Sequence, residues 1–178
     1  MDRFLEEVVT KHKRGLDEVL YYLSWIVMIF CAILGFAFLQ SLPYGFNVAT
    51  GIITIIPIAI AIYLWIIHDR FRTEYEYTFT NGSLDFAMVF NNKKRKSLGS
   101  LNVAKVDAFG KVNSGSFRRH TSANNVKHLR WFLNREANLY FFYYQKENSE
   151  KHMIIFEPSE KLVEYIRKYL PHGVYLTK

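Results

Sequence analysis

The chain has 178 residues, half of them hydrophobic and 22% charged, and it carries a net charge of +7. This length allows one modest domain and one further element. The single cysteine, Cys31, excludes an intrachain disulfide, and a zinc site needs several ligands, so Cys31 is expected to be a packing residue. No Lys, Arg, Asp or Glu occurs from Val19 to Ile67, which excludes a soluble core there because soluble helices need a polar face.

Residues 1–18 are predicted to form a cytosolic amphipathic segment. Their apolar residues, among them Phe4, Leu5, Val8 and Val9, recur near helical spacing with Glu and Lys between them. This pattern favours a short helix. Such a helix either lies in the plane of the membrane interface or extends the first membrane span into the cytosol.

Two apolar runs within residues 19–67 predict a transmembrane helical hairpin. The first run, residues 19–42, is long enough for a helix to cross a hydrocarbon core of about 30 Å, and it is too long for the apolar part of a signal peptide. Residues 43–47 supply a turn, and residues 48–67 form the second run. Pro57 would kink the second helix, which membrane helices tolerate.

Basic residues flank the hairpin at both outer ends. Lys11, Lys13 and Arg14 precede it, Arg70 and Arg72 follow it, and the connecting turn carries no charge. By the positive-inside rule, both termini of this multi-pass protein are expected in the cytosol, with the spans in the plasma membrane. Because neither span contains a charged residue, the hairpin alone does not predict a transporter or channel path.

After Arg72 the pattern changes to the alternation typical of β-strands. Residues 73–80 and 83–90 flank Asn81-Gly82, a dipeptide typical of tight hairpin turns because both positions need positive φ. Five further strands are predicted at residues 97–101, 107–112, 126–133, 137–145 and 151–156. The connections between them are a polar turn at 91–96, a long loop at 113–125 and a turn at 147–150. The run from Tyr140 to Tyr144 must serve two faces, because strand neighbours alternate.

An amphipathic helix follows the strands. Pro158 suits the first helical position, and Pro171 with Gly173 ends the helix. Its apolar stripe consists of Leu162, Val163, Ile166, Tyr169 and Leu170. Such a stripe must be buried against an open end or face of the sheet. Residues 73–178 are therefore predicted to be one cytosolic α+β domain.

This order of elements resembles the bacterial pleckstrin-homology-like (PH-like) domains. The resemblance rests on the hairpin at 75–90, on Leu98–Val106, and on the run from Ile154 to Leu162. It implies a seven-stranded antiparallel sheet or barrel capped by one C-terminal helix, behind a pair of membrane helices. From Met1 onward the chain also resembles a family of two-span membrane proteins of Gram-positive anaerobes. That resemblance implies architecture and no activity.

Basic clusters are the candidate sites. The predicted turn contains Lys93, Lys94, Arg95 and Lys96, and the long loop contains Arg118 and Arg119. In pleckstrin-homology domains a basic early loop can hold inositol phosphates, so these six residues are candidate contacts for anionic lipid. The alternatives are a solvated turn and a disordered loop. Residues 73–178 carry seventeen basic against ten acidic side chains, and basic residues near an anionic membrane contribute roughly 1 kcal/mol each.

No catalytic motif or metal-ligand spacing occurs, so we expect neither an enzyme nor a cofactor or metal. The expected partners are the lipid bilayer, anionic headgroups, and a membrane protein or a second copy of the chain. Nucleic acid is not expected, because the domain is tethered to a membrane. The sequence thus favours a membrane-anchored binding or scaffold module. The alternative is an accessory subunit of a membrane transport or export complex.

Overall fold

The computed structural model of the chain describes residues 3–45, 47–122, 125–146 and 149–176. Residues 1–2 and 177–178, Phe46 in the first predicted turn, residues 123–124 in the predicted loop and residues 147–148 in the last predicted turn lie outside the described residues. The chain divides into two compact units. The helical unit comprises residues 13–73 and 90–93, and the sheet unit comprises the described residues of 3–12, 74–89 and 94–176.

The helical unit contains the two expected apolar helices, α1 (Gly15–Ser41) and α2 (Val48–Ile67). Both are long and apolar enough to cross a membrane. Their buried residues recur at spacings of three, four and seven, as in paired helices: Tyr21, Ser24, Cys31 and Gly35 on α1, and Thr54 and Pro57 on α2. Only 17% and 6% of their most apolar stretches are buried, unlike the core helix of a soluble domain. Cys31 is buried, as its packing role predicts.

Close packing of the two helices depends on Gly35. A Cβ atom added there would lie 2.6 Å from Cγ1 of Ile58 on α2, well inside van der Waals contact. We therefore expect Gly35→Leu to destabilise the hairpin by about 1–3 kcal/mol, the usual cost of overpacking. Denaturant unfolding of the chain in detergent measures this loss. Ala37→Leu, on an exposed position of the same helix, is the matched control, and equal stability of the two variants would contradict the packing argument.

A polar network joins the outer ends of the two helices. The Arg72 guanidinium pairs with the Glu18 carboxylate of α1 and lies over the Tyr21 ring, 3.9 Å from its centroid. Nδ2 of Asn91 donates to Asp69 Oδ1 at 2.8 Å. Asp69 is buried, although the sequence presents it as part of a charged exit from the membrane. These contacts hold the start of α1 beside the 3-10 turn His68–Arg72 that follows α2.

The sheet unit begins with a four-stranded sheet in the order β1-β2-β3-β4. The strands are β1 (Phe4–Val9), β2 (Thr73–Thr80), β3 (Ser83–Phe90) and β4 (Lys94–Asn102). The predicted helix over residues 1–18 is therefore wrong for residues 4–9, which pair antiparallel with β2 from Phe4↔Thr80 to Val9↔Tyr75. Apolar pairs at 4–5 and 8–9 match helical spacing, but pairing along the edge of β2 makes this segment a strand.

The second sheet has five strands in the order β6-β8-β7-β5-β9. They are β5 (Ala108–Lys111), β6 (Val126–Trp131), β7 (Tyr140–Gln145), β8 (Lys151–Phe156) and β9 (Tyr175–Leu176). β8 lies between β6 and β7, and it runs parallel to β6 and antiparallel to β7. β9 adds a second parallel pairing, with β5. The described residues thus form two sheets of four and five strands, and the expected seven-stranded antiparallel barrel is wrong.

The main core lies between the two sheets and is closed by α4 (Glu160–Arg167). Leu162, Val163 and Ile166 of α4 are buried, as their apolar stripe predicts. The Tyr77 hydroxyl, whose pKa is raised by burial, donates to the Trp131 carbonyl and so links β2 to β6. The described residues form four α-helices, the number that the sequence predicted, but the predicted N-terminal helix is replaced by an unpredicted one.

The unpredicted helix, α3 (Gly115–Thr121), lies where the sequence predicts a loop. The Ser114 side chain caps it by accepting from Phe117 N at 3.3 Å. Phe117 packs edge-on against Phe141, with ring centroids 5.3 Å apart, in a second cluster on the outer face of the five-stranded sheet. The Tyr140–Tyr144 run therefore has two buried faces. One face packs in the main core, and the other lies under α3.

Candidate functional site

A groove of about 690 Å³ lies between β4 and β6, the outer strands of the two sheets. We call it the edge groove. It is lined by residues 98–102 of β4 and by Lys105 beyond it, and on the other side by residues of β6, β7 and β8. Its volume falls within the range typical of ligand sites, about 300–1,000 Å³.

The β4 side of the edge groove is a backbone wall. Five consecutive residues, Leu98 to Asn102, line it, although neighbouring side chains in a strand point to opposite faces. The main chain must therefore contribute to the lining. Gly99 has a φ of +152°, which favours glycine, and glycine within a strand often marks a place where another backbone or a ligand approaches.

The opposite side is a floor of side chains. Strand register places Lys127, His152 and Tyr144 in one row across β6, β8 and β7. The next row on the same face has Leu129 beside Ile154. The floor is thus the inner face of the five-stranded sheet, continued beyond the main core to a polar end.

Positive charge gathers at the polar end of the floor. Lys127 lies near the start of β6 and Lys146 follows the end of β7, which the register brings to the same end of the sheet. Lys105 lines the groove from the β4 side, and all three lysines are exposed. No described residue that lines the groove is acidic. The groove therefore suits a carboxylate or a phosphate, which lysine binds as a point charge.

Two aromatic residues of the polar end can hydrogen-bond. Burial raises the pKa of Tyr144, so its hydroxyl keeps a proton that it can donate to an anion. His152 is 2% exposed and stacks against Tyr144, with ring centroids 5.5 Å apart. Its Nε2 lies 3.3 Å from Glu150 Oε2, and its Nδ1 has no hydrogen-bond partner within the described residues. A buried ring nitrogen without a partner is uncommon.

The basic residues at 93–96 lie outside this groove. Lys93 is in the turn after β3, whereas Lys94, Arg95 and Lys96 begin β4, so the predicted turn ends earlier than expected. Arg95 Nη2 pairs with Glu76 Oε2 at 2.7 Å. Charged residues at the start of an outer strand also protect it against unwanted pairing. Their contact with anionic lipid stays a prediction.

Arg118 and Arg119 lie on α3. Because α3 covers the outer face of the five-stranded sheet, and the four-stranded sheet packs on the inner face, these arginines lie in a different layer from β4. The structure therefore does not bring the two basic clusters into one element or one layer. Lys105, Lys127 and Lys146 were not predicted from the sequence, since single lysines far apart in the chain have no spacing that marks a site.

A second polar cluster fixes the chain after β1 to the sheet unit. Asn134 and Glu157 are buried, and Asn134 Nδ2 donates to Glu157 Oε1 and to the Thr10 carbonyl, both at 2.9 Å. Asn134 Oδ1 accepts from His12 N at 2.8 Å. His12 Nε2 lies 3.7 Å from Glu157 Oε1. Because two partners of Asn134 are the backbone groups of Thr10 and His12, this cluster anchors residues 10–12.

Glu7, which lies near Glu157 of this anchor, should make the stability of the folded chain depend on pH. Burial raises its pKa, although Ser159 N donates to Glu7 Oε1 at 2.8 Å. The folded protein then holds this proton to higher pH than the unfolded chain, so ionisation of Glu7 lowers stability as pH rises through the interval between the two pKa values. We expect Glu7→Gln to raise the melting temperature slightly at pH 7, with the gain lost below about pH 4. Thermal unfolding at both pH values tests this.

The control for Glu7 is Glu6→Gln, an exposed carboxylate of the same strand. A gain at pH 7 for both variants would show a general charge effect, and a gain for Glu7→Gln that persists at low pH would contradict the burial argument.

Comparison with models of protein families finds a match over nearly the whole chain. The family model described as "Bacterial PH-like domain (DUF6106)" matches residues 1–176. Neither the curated proteins nor the solved structures contain a match to this chain. The family match spans both the apolar helices and the two sheets. The chain therefore belongs to the bacterial PH-like domain family DUF6106.

Proposed function

We propose that this protein is a non-enzymatic, membrane-anchored binding module whose cytosolic PH-like domain holds an anionic partner in the edge groove. The observation that carries this proposal is the groove itself. It combines a backbone wall, an apolar floor and three lysines, two of which, Lys127 and Lys146, lie at one end. These groups bind and orient a partner, and membership of a PH-like family supports a binding role.

Membrane anchoring is supported by the exposed apolar surface of the helical unit. Residues such as Ile26, Phe30, Phe36, Ile55 and Ile62 are more than half exposed. Monomeric soluble proteins rarely expose a contiguous apolar patch larger than a few hundred Å². Lipid covers such a surface at little cost to the backbone, because a helix satisfies most of its hydrogen bonds internally.

The proposed orientation places both termini and the sheet unit in the cytosol, because the basic flanks lie at the outer ends of the hairpin. Two single-cysteine variants in a Cys31→Ser background test it. Tyr44→Cys lies in the turn between the helices, where Tyr44 is 93% exposed, and Lys161→Cys lies on the exposed face of α4.

In intact cells, a membrane-impermeant maleimide is expected to label Tyr44→Cys and not Lys161→Cys. After permeabilisation both should react. Labelling of Lys161→Cys in intact cells would overturn the orientation. Release of the chain from membranes by alkaline carbonate would overturn the anchoring itself.

A further inference from the structure

The geometry points to an extended acidic peptide segment of a partner protein as the ligand of the edge groove, bound as an added strand along the outer side of β4. This inference rests on the proposed function and names its ligand class. The acidic residues of the peptide lie beside Lys105, Lys127 and Lys146. The apolar residues of the peptide lie on the floor formed by Leu129 and Ile154.

The wall of the groove is an open strand edge. β4 is the last strand of its sheet, so no described strand pairs with its outer side. An unpaired edge presents a row of N–H and C=O groups to which another chain can add. Peptide recognition by strand addition uses such edges, with main-chain hydrogen bonds giving affinity and side-chain pockets giving specificity.

Charge protects only the first third of this edge against pairing. The first three residues of β4, Lys94 to Lys96, are all basic, which blunts an edge. The following residues, Leu98 to Asn102, carry no charge, and these are the residues that line the groove. The unpaired and uncharged part of the β4 edge is thus the part that lines the edge groove.

The floor and the lysines select the side chains of the added strand. The two ends of the added strand meet different surfaces, since Lys127 and Lys146 lie at the end where β6 begins and β7 ends, whereas Leu129 and Ile154 lie farther along the same face. A segment with acidic residues at one end and apolar residues at the other matches both. Tyr144, which keeps its proton, adds a donor at the acidic end.

A free phosphate or a phosphorylated headgroup would use only part of this site. Such an anion pairs with the lysines, but it needs neither a strand edge of five residues nor an apolar floor. The peptide uses the wall, the floor and the charge together. Binding of phosphate alone is therefore an outcome that the experiment must separate.

Fluorescence anisotropy of the full chain in phosphatidylcholine nanodiscs provides the test. Two fluorescein-labelled hexapeptides, Val-Tyr-Val-Glu-Glu-Glu and its reverse, cover both strand directions. We expect at least one to bind, and Lys105→Gln, Lys127→Gln and Lys146→Gln together to weaken it at least tenfold. The matched control replaces the exposed Lys111, Lys161 and Lys168 by Gln, with the same change in net charge, and should stay within twofold.

Methylation of alternate backbone nitrogens of the peptide should also weaken binding at least tenfold, because it removes the donors that an added strand needs. Equal affinity of the methylated peptide would overturn strand addition and leave groove binding in place. If inorganic phosphate or phosphatidylglycerol vesicles bind in a lysine-dependent way while neither peptide does, the peptide is overturned and the proposed function stands. If no probe responds to the groove lysines, both are overturned.

Discussion

Replacement of Phe156 by Ala is expected to lower the free energy of unfolding of the sheet unit by about 3–5 kcal/mol, the usual range for Phe→Ala in a core. Phe156 is fully buried, and its ring stacks on Phe142 with centroids 5.1 Å apart. It also meets Tyr77 and Phe86 edge-on, at 5.5 Å and 5.6 Å. These contacts join β8 to both sheets, so the cavity would open at their common core.

The loss can be measured by denaturant unfolding of the full chain in detergent, followed by near-ultraviolet circular dichroism. Phe4→Ala is the control, because the same atoms are removed from a side chain that is 61% exposed. A loss below about 1 kcal/mol for Phe156→Ala, or an equal loss for Phe4→Ala, would contradict this description of the core.

Asn134→Ala is expected to cost about 2–3 kcal/mol. A buried group left without its partner costs roughly 1–3 kcal/mol, and more when it is charged. The substitution removes the amide that donates to both oxygens of the buried Glu157 carboxylate and to the Thr10 carbonyl. It also removes the acceptor of His12 N. The loss should therefore combine reduced stability with release of residues 10–12 from the sheet unit.

Hydrogen exchange of the amides at residues 10–12 measures the second effect. Asn138→Ala, an exposed amide near the same cluster, is the control and should change neither quantity. Asn134→Asp should be at least as harmful as Asn134→Ala, because it places a second carboxylate against Glu157. Normal protection of residues 10–12 in Asn134→Ala would show that the anchor lies elsewhere.

Local patterns predicted the regular elements well. The apolar runs became α1 and α2, and the alternation around Asn81-Gly82 became β2 and β3, joined by a turn in which both residues have positive φ. The C-terminal helix followed from its apolar stripe, although it begins at Glu160 and not at Pro158, and it ends at Arg167, before Tyr169 and Leu170. In each of these elements, period, length and turn residues agree, so a single segment carries enough information.

Elements that depend on distant partners were missed. β1 shares its apolar spacing with a helix and becomes a strand only because β2 offers an edge far along the chain. α3 is a seven-residue helix in a Ser- and Gly-rich segment, and it is stabilised by packing of Phe117 on Phe141. The two-residue β9 exists only beside β5.

The candidate site was missed for the same reason. The basic run at 93–96 stands out in the sequence. Its last three residues form the charged start of β4 and do not line the edge groove. The lysines of the edge groove lie on separate elements, and only the parallel insertion of β8 between β6 and β7 brings Lys127 and Lys146 to one end of the sheet. A local sequence pattern does not predict a strand order that crosses over.

Amide exchange along the open edge of β4 tests the binding role most directly. Hydrogen–deuterium exchange of the full chain in nanodiscs should be measured with and without saturating acidic hexapeptide. We predict slower exchange of the amides at residues 98–102, with little change at residues 94–96. Unchanged exchange at residues 98–102 in the peptide-bound protein would contradict the assignment of the edge groove as the binding site.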